Sequence, residues 1–275
     1  MAKEYLESKY VEVTPSVELH YWEQGAGKPL VFIPGLTFSG EIFKAQIAHF
    51  SKAYRVIAID PRGQGFSSKT ADGNDYLTHG RDLHGLMTAL DLHDAVLIGW
   101  STGNLDAWSY VQQFGKDKLR GIVTIDMSPL PMSPDPTCWT EGSIEELSEV
   151  ASQILSVPSG PRDFFSGYTT DIMIQRDVPA EELSYILDMS CRTPYWICKA
   201  LFCDAMFCNF LETAQDLGAN FPSLMFIAEH WADVAKPFVE EKLPGYDHHV
   251  MGGHLMFYEY PDTWNAVLEG FLDKL

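Results

Sequence analysis

Short apolar runs recur along the chain at intervals that leave room for one helix between each pair. Residues 30–33, 55–59, 95–98 and 122–125 are continuous and rich in Val and Ile, the pattern of strands buried on both faces. Between them, residues 41–50, 77–90 and 105–114 repeat apolar positions at helical spacing. This β-then-α alternation predicts a parallel, doubly wound sheet with helices on both faces. The start of the chain differs: residues 10–13 and 19–23 flank Thr14-Pro15-Ser16 and predict an antiparallel hairpin. Strand patterns return at residues 223–227 and, briefly, at 247–250; Pro237 is expected to open a short helix toward Leu243, and a last amphipathic helix runs to Leu275.

The alternation breaks at Ser128-Pro129-Leu130-Pro131. From there to about Asn220 the periodicity is irregular, proline and methionine are frequent, and aromatic residues cluster, among them Trp139, Phe164, Phe165 and Phe202. The expected organisation is a core of residues 1–130 and 221–275 with a helical cap, 131–220, inserted between the sixth and seventh strands. No internal repeat or low-complexity tract interrupts it.

Composition narrows the setting. A net charge of −19 argues against nucleic acid or an anionic membrane as partner. Residues 1–10 are polar, without the apolar centre of a secretory signal, and no apolar run reaches membrane-spanning length. Five cysteines, an odd number gathered in the expected cap without C-x-x-C spacing, fit reduced thiols in a cytoplasm better than a disulfide framework. Cys203 and Cys208 read as apolar cap residues.

Candidate chemistry lies where the strands end, which is where ligands bind in such sheets. Gly99-Trp100-Ser101-Thr102-Gly103 follows directly on residues 95–98. A serine on a tight strand-to-helix turn takes a strained backbone that only small neighbours allow. The turn exposes Oγ and aims the Thr102 amide at the place where an oxyanion would form. Such a serine needs a base, normally an imidazole oriented by an acid. His254, in Gly252-Gly253-His254 on a glycine-flanked loop near the end of the sheet, is the candidate base.

Four segments in order, Phe32-Ile33-Pro34-Gly35-Leu36, Asp60-Pro61-Arg62-Gly63-Gln64-Gly65-Phe66-Ser67, the Ser101 turn and Gly253-His254, make the chain resemble the α/β-hydrolase superfamily, and within it the esterase and non-heme haloperoxidase-like group. The resemblance extends over nearly the whole length. It implies a mostly parallel eight-stranded sheet flanked by helices, a Ser-acid-His triad at the carboxyl ends of the strands, and hydrolysis without a cofactor. It also maps the second oxyanion donor onto the Leu36 amide, with Pro34 replacing the family's usual histidine.

The acid has two candidates. The family's usual place after the seventh strand reads Ala228-Glu229-His230-Trp231, with tryptophan where aspartate is expected; Asp233 lies two positions further. Some members carry the acid after the sixth strand, where this chain has Asp126. Asp126 is favoured because a carboxylate at the end of a buried strand demands a partner. Otherwise Asp126 is a turn residue bonding nearby amides, Asp233 a solvated loop carboxylate, and Glu229 the remaining choice.

Trp100 either lines an acyl pocket or packs behind the turn. Asn104 either reaches a polar group near the site or, with Asp106, only occupies a first helical turn, where an acid suits the dipole. His248 and His249, adjacent on a strand, point to opposite faces and cannot readily share a metal; His79, His84 and His93 receive no role, and no metal is expected. Gly63-Gln64-Gly65 lacks the rest of a dinucleotide fingerprint. The expected activity is a serine carboxylic-ester hydrolase, its Ser101, His254 and Asp126 acting on a small to medium apolar or aromatic ester. Alternatives on the same groups are lactone opening, carbon–carbon hydrolysis, perhydrolysis or cofactor-free oxygenation; outside catalysis, a small-molecule receptor.

Overall fold

A β-hairpin opens the described chain, β1 (Glu7–Thr14) and β2 (Val17–Gln24), turning at Ser16 with φ 67°. The computed structural model describes residues 6–275, so the expected polar segment 1–10 lies partly outside the described residues. The four apolar runs form β3 (Pro29–Ile33), β4 (Arg55–Ile59), β5 (Ala95–Trp100) and β6 (Leu119–Ile125), buried at all but two positions. Such strands need apolar side chains on both faces, so no polar alternation marks them. With β7 (Ser223–Ile227) and β8 (Asp247–Val250) they complete an eight-stranded sheet of order β1-β2-β4-β3-β5-β6-β7-β8. The β1–β2 and β2–β4 pairs are antiparallel and the remainder parallel.

The register sets the carboxyl ends of the parallel strands side by side. Ile33 pairs with Gly99, Trp100 with Ile125, Ile125 with Phe226, and Ile227 with Val250. The loops that follow β3, β5, β6, β7 and β8 therefore leave the sheet together.

Helices α1 (Lys44–Phe50), α2 (Tyr76–Ala89) and α3 (Gly103–Phe114) connect these strands. The expected single helix 41–50 is split, because its beginning is a 3-10 turn, Gly40–Phe43. Asp60 pins that turn from below, accepting from Ser39 Oγ at 2.7 Å and from the Gly40 amide at 2.8 Å. Between β6 and β7 come α4 (Ile144–Glu149), α5 (Gly160–Tyr168), α6 (Ala180–Ser190), α7 (Tyr195–Phe207) and α8 (Leu211–Asn220), with π-helical segments at Val150–Ile154 and Thr169–Met173 bracketing α5. After β7 follow a 3-10 turn, Glu229–Trp231, and α9 (Ala232–Lys242); after β8 come α10 (Met256–Glu259) and α11 (Pro261–Leu272).

One expected boundary is corrected. Helix α9 starts at Ala232, and Pro237 lies inside it rather than opening it. Proline withholds one backbone donor in a helix. Pro237 is exposed, so water can reach the backbone group left without that bond. Among the described residues, no helix is long and apolar enough to cross a membrane.

Buried ion pairs sit beneath the α2–α3 layer. Arg62 Nε and Nη2 each lie 2.7 Å from one oxygen of Asp82. Nearby, His79 Nδ1 lies 3.0 Å from Asp106 Oδ1, so His79 and Asp106 take structural places in the core. Burial raises the Asp106 pKa against the pull of His79; burial also opposes charge on His79, but the Asp106 carboxylate prevails and raises its pKa. Removing one partner of such a pair leaves a charge that nothing solvates. Arg62→Met is expected to lower unfolding free energy by about 3–5 kcal/mol in denaturant titration, and Arg62→Met with Asp82→Leu by much less; equal losses would place the stabilisation elsewhere.

Candidate active site

Strand β5 ends at Trp100, and Ser101 turns the chain into α3 with φ +53°, a left-handed conformation that a residue with a Cβ adopts only when its surroundings enforce it. The enforcement is visible. A Cβ on Gly103 would stand 2.3 Å from the Ile33 carbonyl oxygen, and one on Gly99 2.5 Å from Asn104 Oδ1, so both neighbours of the turn must be glycine. The Ser101 amide donates to the Ile125 carbonyl at 2.8 Å, and the Asn104 amide donates to the Ser101 carbonyl at 3.0 Å. The Asn104 side chain spans to the neighbouring strand, where its Nδ2 donates to the Ile125 carbonyl (3.0 Å) and its Oδ1 accepts the Ile125 amide (3.3 Å). It thereby ties the start of α3 to the last residue of β6.

The next residue, Asp126, is buried, also at positive φ (49°). Its Oδ2 lies 2.6 Å from His254 Nδ1, and its Oδ1 accepts the Ala228 amide at 2.8 Å. Both oxygens are thus satisfied, the condition for a carboxylate without water. A proton on Nδ1 facing the carboxylate leaves the Nε2 lone pair available. Asp233 sits exposed in the first turn of α9. Glu229 lies exposed between Gln175 Nε2 (3.3 Å) and the Gly252 amide (3.4 Å).

Among the hydrogen bonds that hold the His254 loop, three engage His254 and Leu255. The His254 amide donates to the Ile172 carbonyl (3.2 Å), the Leu255 amide to the Met173 carbonyl (2.8 Å), and Trp100 Nε1 to the His254 carbonyl (2.7 Å). Trp100 therefore both lines the cavity above Ser101 and braces the histidine. Ser101 and His254 line this same cavity; among the described residues' hydrogen bonds, none joins Ser101 Oγ to His254. Such bonds commonly tighten when substrate arrives.

The loop after β3 runs beside Ser101: a Cβ on Gly35 would come within 2.8 Å of Ser101 Cβ. Gln64 braces it from the β4 side, accepting the Thr37 amide and donating to the carbonyls of Gly35 (3.3 Å) and Phe38 (3.4 Å). Among the described residues, the amides of Leu36 and Thr102 donate to no protein acceptor, and both residues line the cavity. Pro34 leaves this arrangement intact. No local pattern marks Gln64, because its partners lie on another loop.

The cavity, about 380 Å³, is mainly aromatic and aliphatic. Besides Ser101, Thr102 and His254, its polar lining includes Glu146 and Glu141, and Glu141 accepts the Ser128 amide at 3.0 Å. Burial pushes the Glu141 pKa up to about 7, with the Asp126 charge adding to that and the Ser128 bond and His254 opposing it. Burial likewise lowers His230 and raises Tyr168. Among the described residues, no three His, Cys, Asp or Glu side chains gather as metal ligands. Another Ser-His-Asp chain exists: Ser8 Oγ lies 2.8 Å from His20 Nε2, and His20 Nδ1 2.9 Å from Asp60 Oδ2. Ser8, however, lies exposed on a strand, without the strained turn that presents Ser101.

Comparison with known proteins bears on the fold. A family model described as the α/β-hydrolase fold matches residues 28–141. A putative non-heme chloroperoxidase of Synechocystis sp. is 38% identical over 121 residues, 44% of this chain and 43% of that protein. A non-heme chloroperoxidase of Burkholderia pyrrocinia is 34% identical over 165 residues, 55% of this chain and 59% of that one. The matched stretch thus spans less than two thirds of either relative. In overall shape the chain is similar to an esterase from Exiguobacterium antarcticum (TM-score 0.86, 18% identity, 97% of this chain and 100% of that one) and to a bromoperoxidase from Bacillus anthracis (TM-score 0.83, 23% identity, 97% and 100%). The chain has the α/β-hydrolase fold, and over part of its length its sequence is similar to non-heme chloroperoxidases.

A short charge-assisted hydrogen bond deshields its proton. The His254 Nδ1 proton is expected far downfield in the NMR spectrum, displaced or lost in Asp126→Asn and unchanged in Asp233→Asn; the reverse pattern would reassign the partner of His254.

Proposed function

We propose that the protein is a serine carboxylic-ester hydrolase acting on small to medium apolar or aromatic esters. The observation that carries this reading is one cavity onto which a strained, half-buried serine and a carboxylate-bound imidazole both open. His254 Nε2 takes the Ser101 proton as Oγ attacks the ester carbonyl, and the imidazolium is stabilised by Asp126. The developing oxyanion is held by the amides of Leu36 and Thr102. Collapse expels the alcohol, which receives the proton from His254. Water then attacks the acyl-enzyme by the same route, releasing the acid and restoring Ser101.

Aromatic and methionine side chains around the cavity support an apolar substrate moiety. We take residues 131–220 as the cap that supplies much of this lining, over a core of 1–130 and 221–275. The substrate partner is then a small-molecule ester or lactone. Five free cysteines support a reducing, cytoplasmic setting.

The names of the chloroperoxidase relatives favour one second reading. Hydrogen peroxide in place of water would attack the same acyl-enzyme and release a peracid. Peracid formed from a carboxylic acid and peroxide, absent in Ser101→Ala, would support that reaction.

Hydrolysis of a p-nitrophenyl ester series by the wild type, with turnover abolished in Ser101→Ala, is the expected result; no turnover by folded wild type would overturn the esterase reading. Asp126→Asn is expected to lower kcat by about 10³–10⁴-fold and Asp233→Asn by less than about twofold. Gln64→Leu, which frees the 34–38 loop, is expected to lower kcat by roughly 10–100-fold with little change in KM. Comparable losses in both aspartate variants would remove Asp126 from the mechanism.

A further inference from the structure

The cavity is one-sided in charge. It is lined by the carboxyl groups of Glu141, half-buried in the wall, and Glu146, exposed, and by no lysine or arginine among the described residues. Glu146 is held by its capping box with Ser143. The Glu141 carboxylate accepts the Ser128 amide, and the basic side chain beside it is the imidazole of His254. The titratable groups facing it are Asp126 at the end of β6, His254 on the loop after β8 and Tyr168 on α5; His230, after β7, lies close to the Asp126–His254 pair. Except for His254, which Asp126 already engages, none supplies a positive charge.

Aromatic rings form much of the rest of the wall, interleaved with aliphatic and methionine side chains. Phe164 stacks on Tyr168 with centroids 5.5 Å apart and planes at 15°, Tyr168 meets the His254 ring edge-on at 5.7 Å, and Trp231 and Phe202 complete that side. Ring faces attract cations through their quadrupole, and more strongly where water is excluded. A carboxyl group in such surroundings is held back from ionising until an opposite charge arrives. The overall charge of −19 enriches cations at the surface and repels anions.

We propose that the cavity recognises an organic cation, and that the substrate is an ester carrying an amine or quaternary ammonium group remote from the scissile carbonyl, with Glu141 as its counter-ion. The proposal rests on the ester-hydrolase reading only in making the cation part of an ester. Because burial pushes the Glu141 pKa up to about 7, the preference for a cation is expected to strengthen as pH rises through neutrality and Glu141 ionises.

Choline and its neutral carbon isostere, 3,3-dimethylbutan-1-ol, separate charge from shape. Binding to the wild type, read by calorimetry or tryptophan fluorescence, is expected to favour choline by about tenfold or more at about pH 8, and by several-fold less at about pH 5.5. Glu141→Gln is expected to abolish the preference. Equal binding of the two alcohols by the wild type at both pH values overturns the proposal whether or not the variant folds. Turnover of acetylcholine and 3,3-dimethylbutyl acetate is measured in parallel, as a ratio that cancels any pH dependence common to both reactions. Hydrolysis of both esters without preference overturns the cation site and leaves the hydrolase reading standing. Preferential choline binding with neither ester hydrolysed does the opposite.

Discussion

Everything at the candidate site depends on how closely two backbones approach at the end of β5. The Ile33 carbonyl and the first turn of α3 meet at Gly103 with no space for a methyl group, and that contact holds Ser101 at positive φ. A turn of this kind stores strain, which persists only when the surrounding structure over-determines it. Here the over-determination comes from β6 as well, since the Ser101 amide and the Asn104 side chain both engage Ile125. The presented hydroxyl is thus a product of sheet geometry rather than of loop flexibility.

The same strand end supplies the carboxylate. One residue beyond Ile125, Asp126 divides its two oxygens between an imidazole and the backbone after β7, joining three separate strand ends through a single side chain. Burial makes this junction demanding, because an unsatisfied carboxylate there would be costly. It also fixes which way the imidazole faces.

Much of the fold was legible because its signals are local. Runs such as 95–98 and 223–227 read as strands from a few consecutive residues, and the glycine spacing around Ser101 announced a tight turn. What failed to show was whatever depends on partners distant along the chain. Pro237 looks like a helix start by composition, yet α9 begins five residues earlier, where the 3-10 turn after β7 feeds directly into it. Asp126 and Asp233 could be ranked only by argument about burial, and the contact with His254 spans 128 positions. Gln64, Trp100 and Glu141 were no more readable: each acts through backbone groups of another loop. The choice for Asn104 was settled by a carbonyl and an amide on a neighbouring strand.

The His254 loop hangs by two amides from the carbonyls of Ile172 and Met173, residues of the π-helical segment that follows α5, the helix carrying the aromatic wall. A wall and an imidazole suspended from one another cannot move independently. A guest too bulky for the cavity would push on α5 and, through those two carbonyls, draw the histidine away from the serine. If the site hydrolyses esters as proposed, misfit would register as slower chemistry even where the guest still enters.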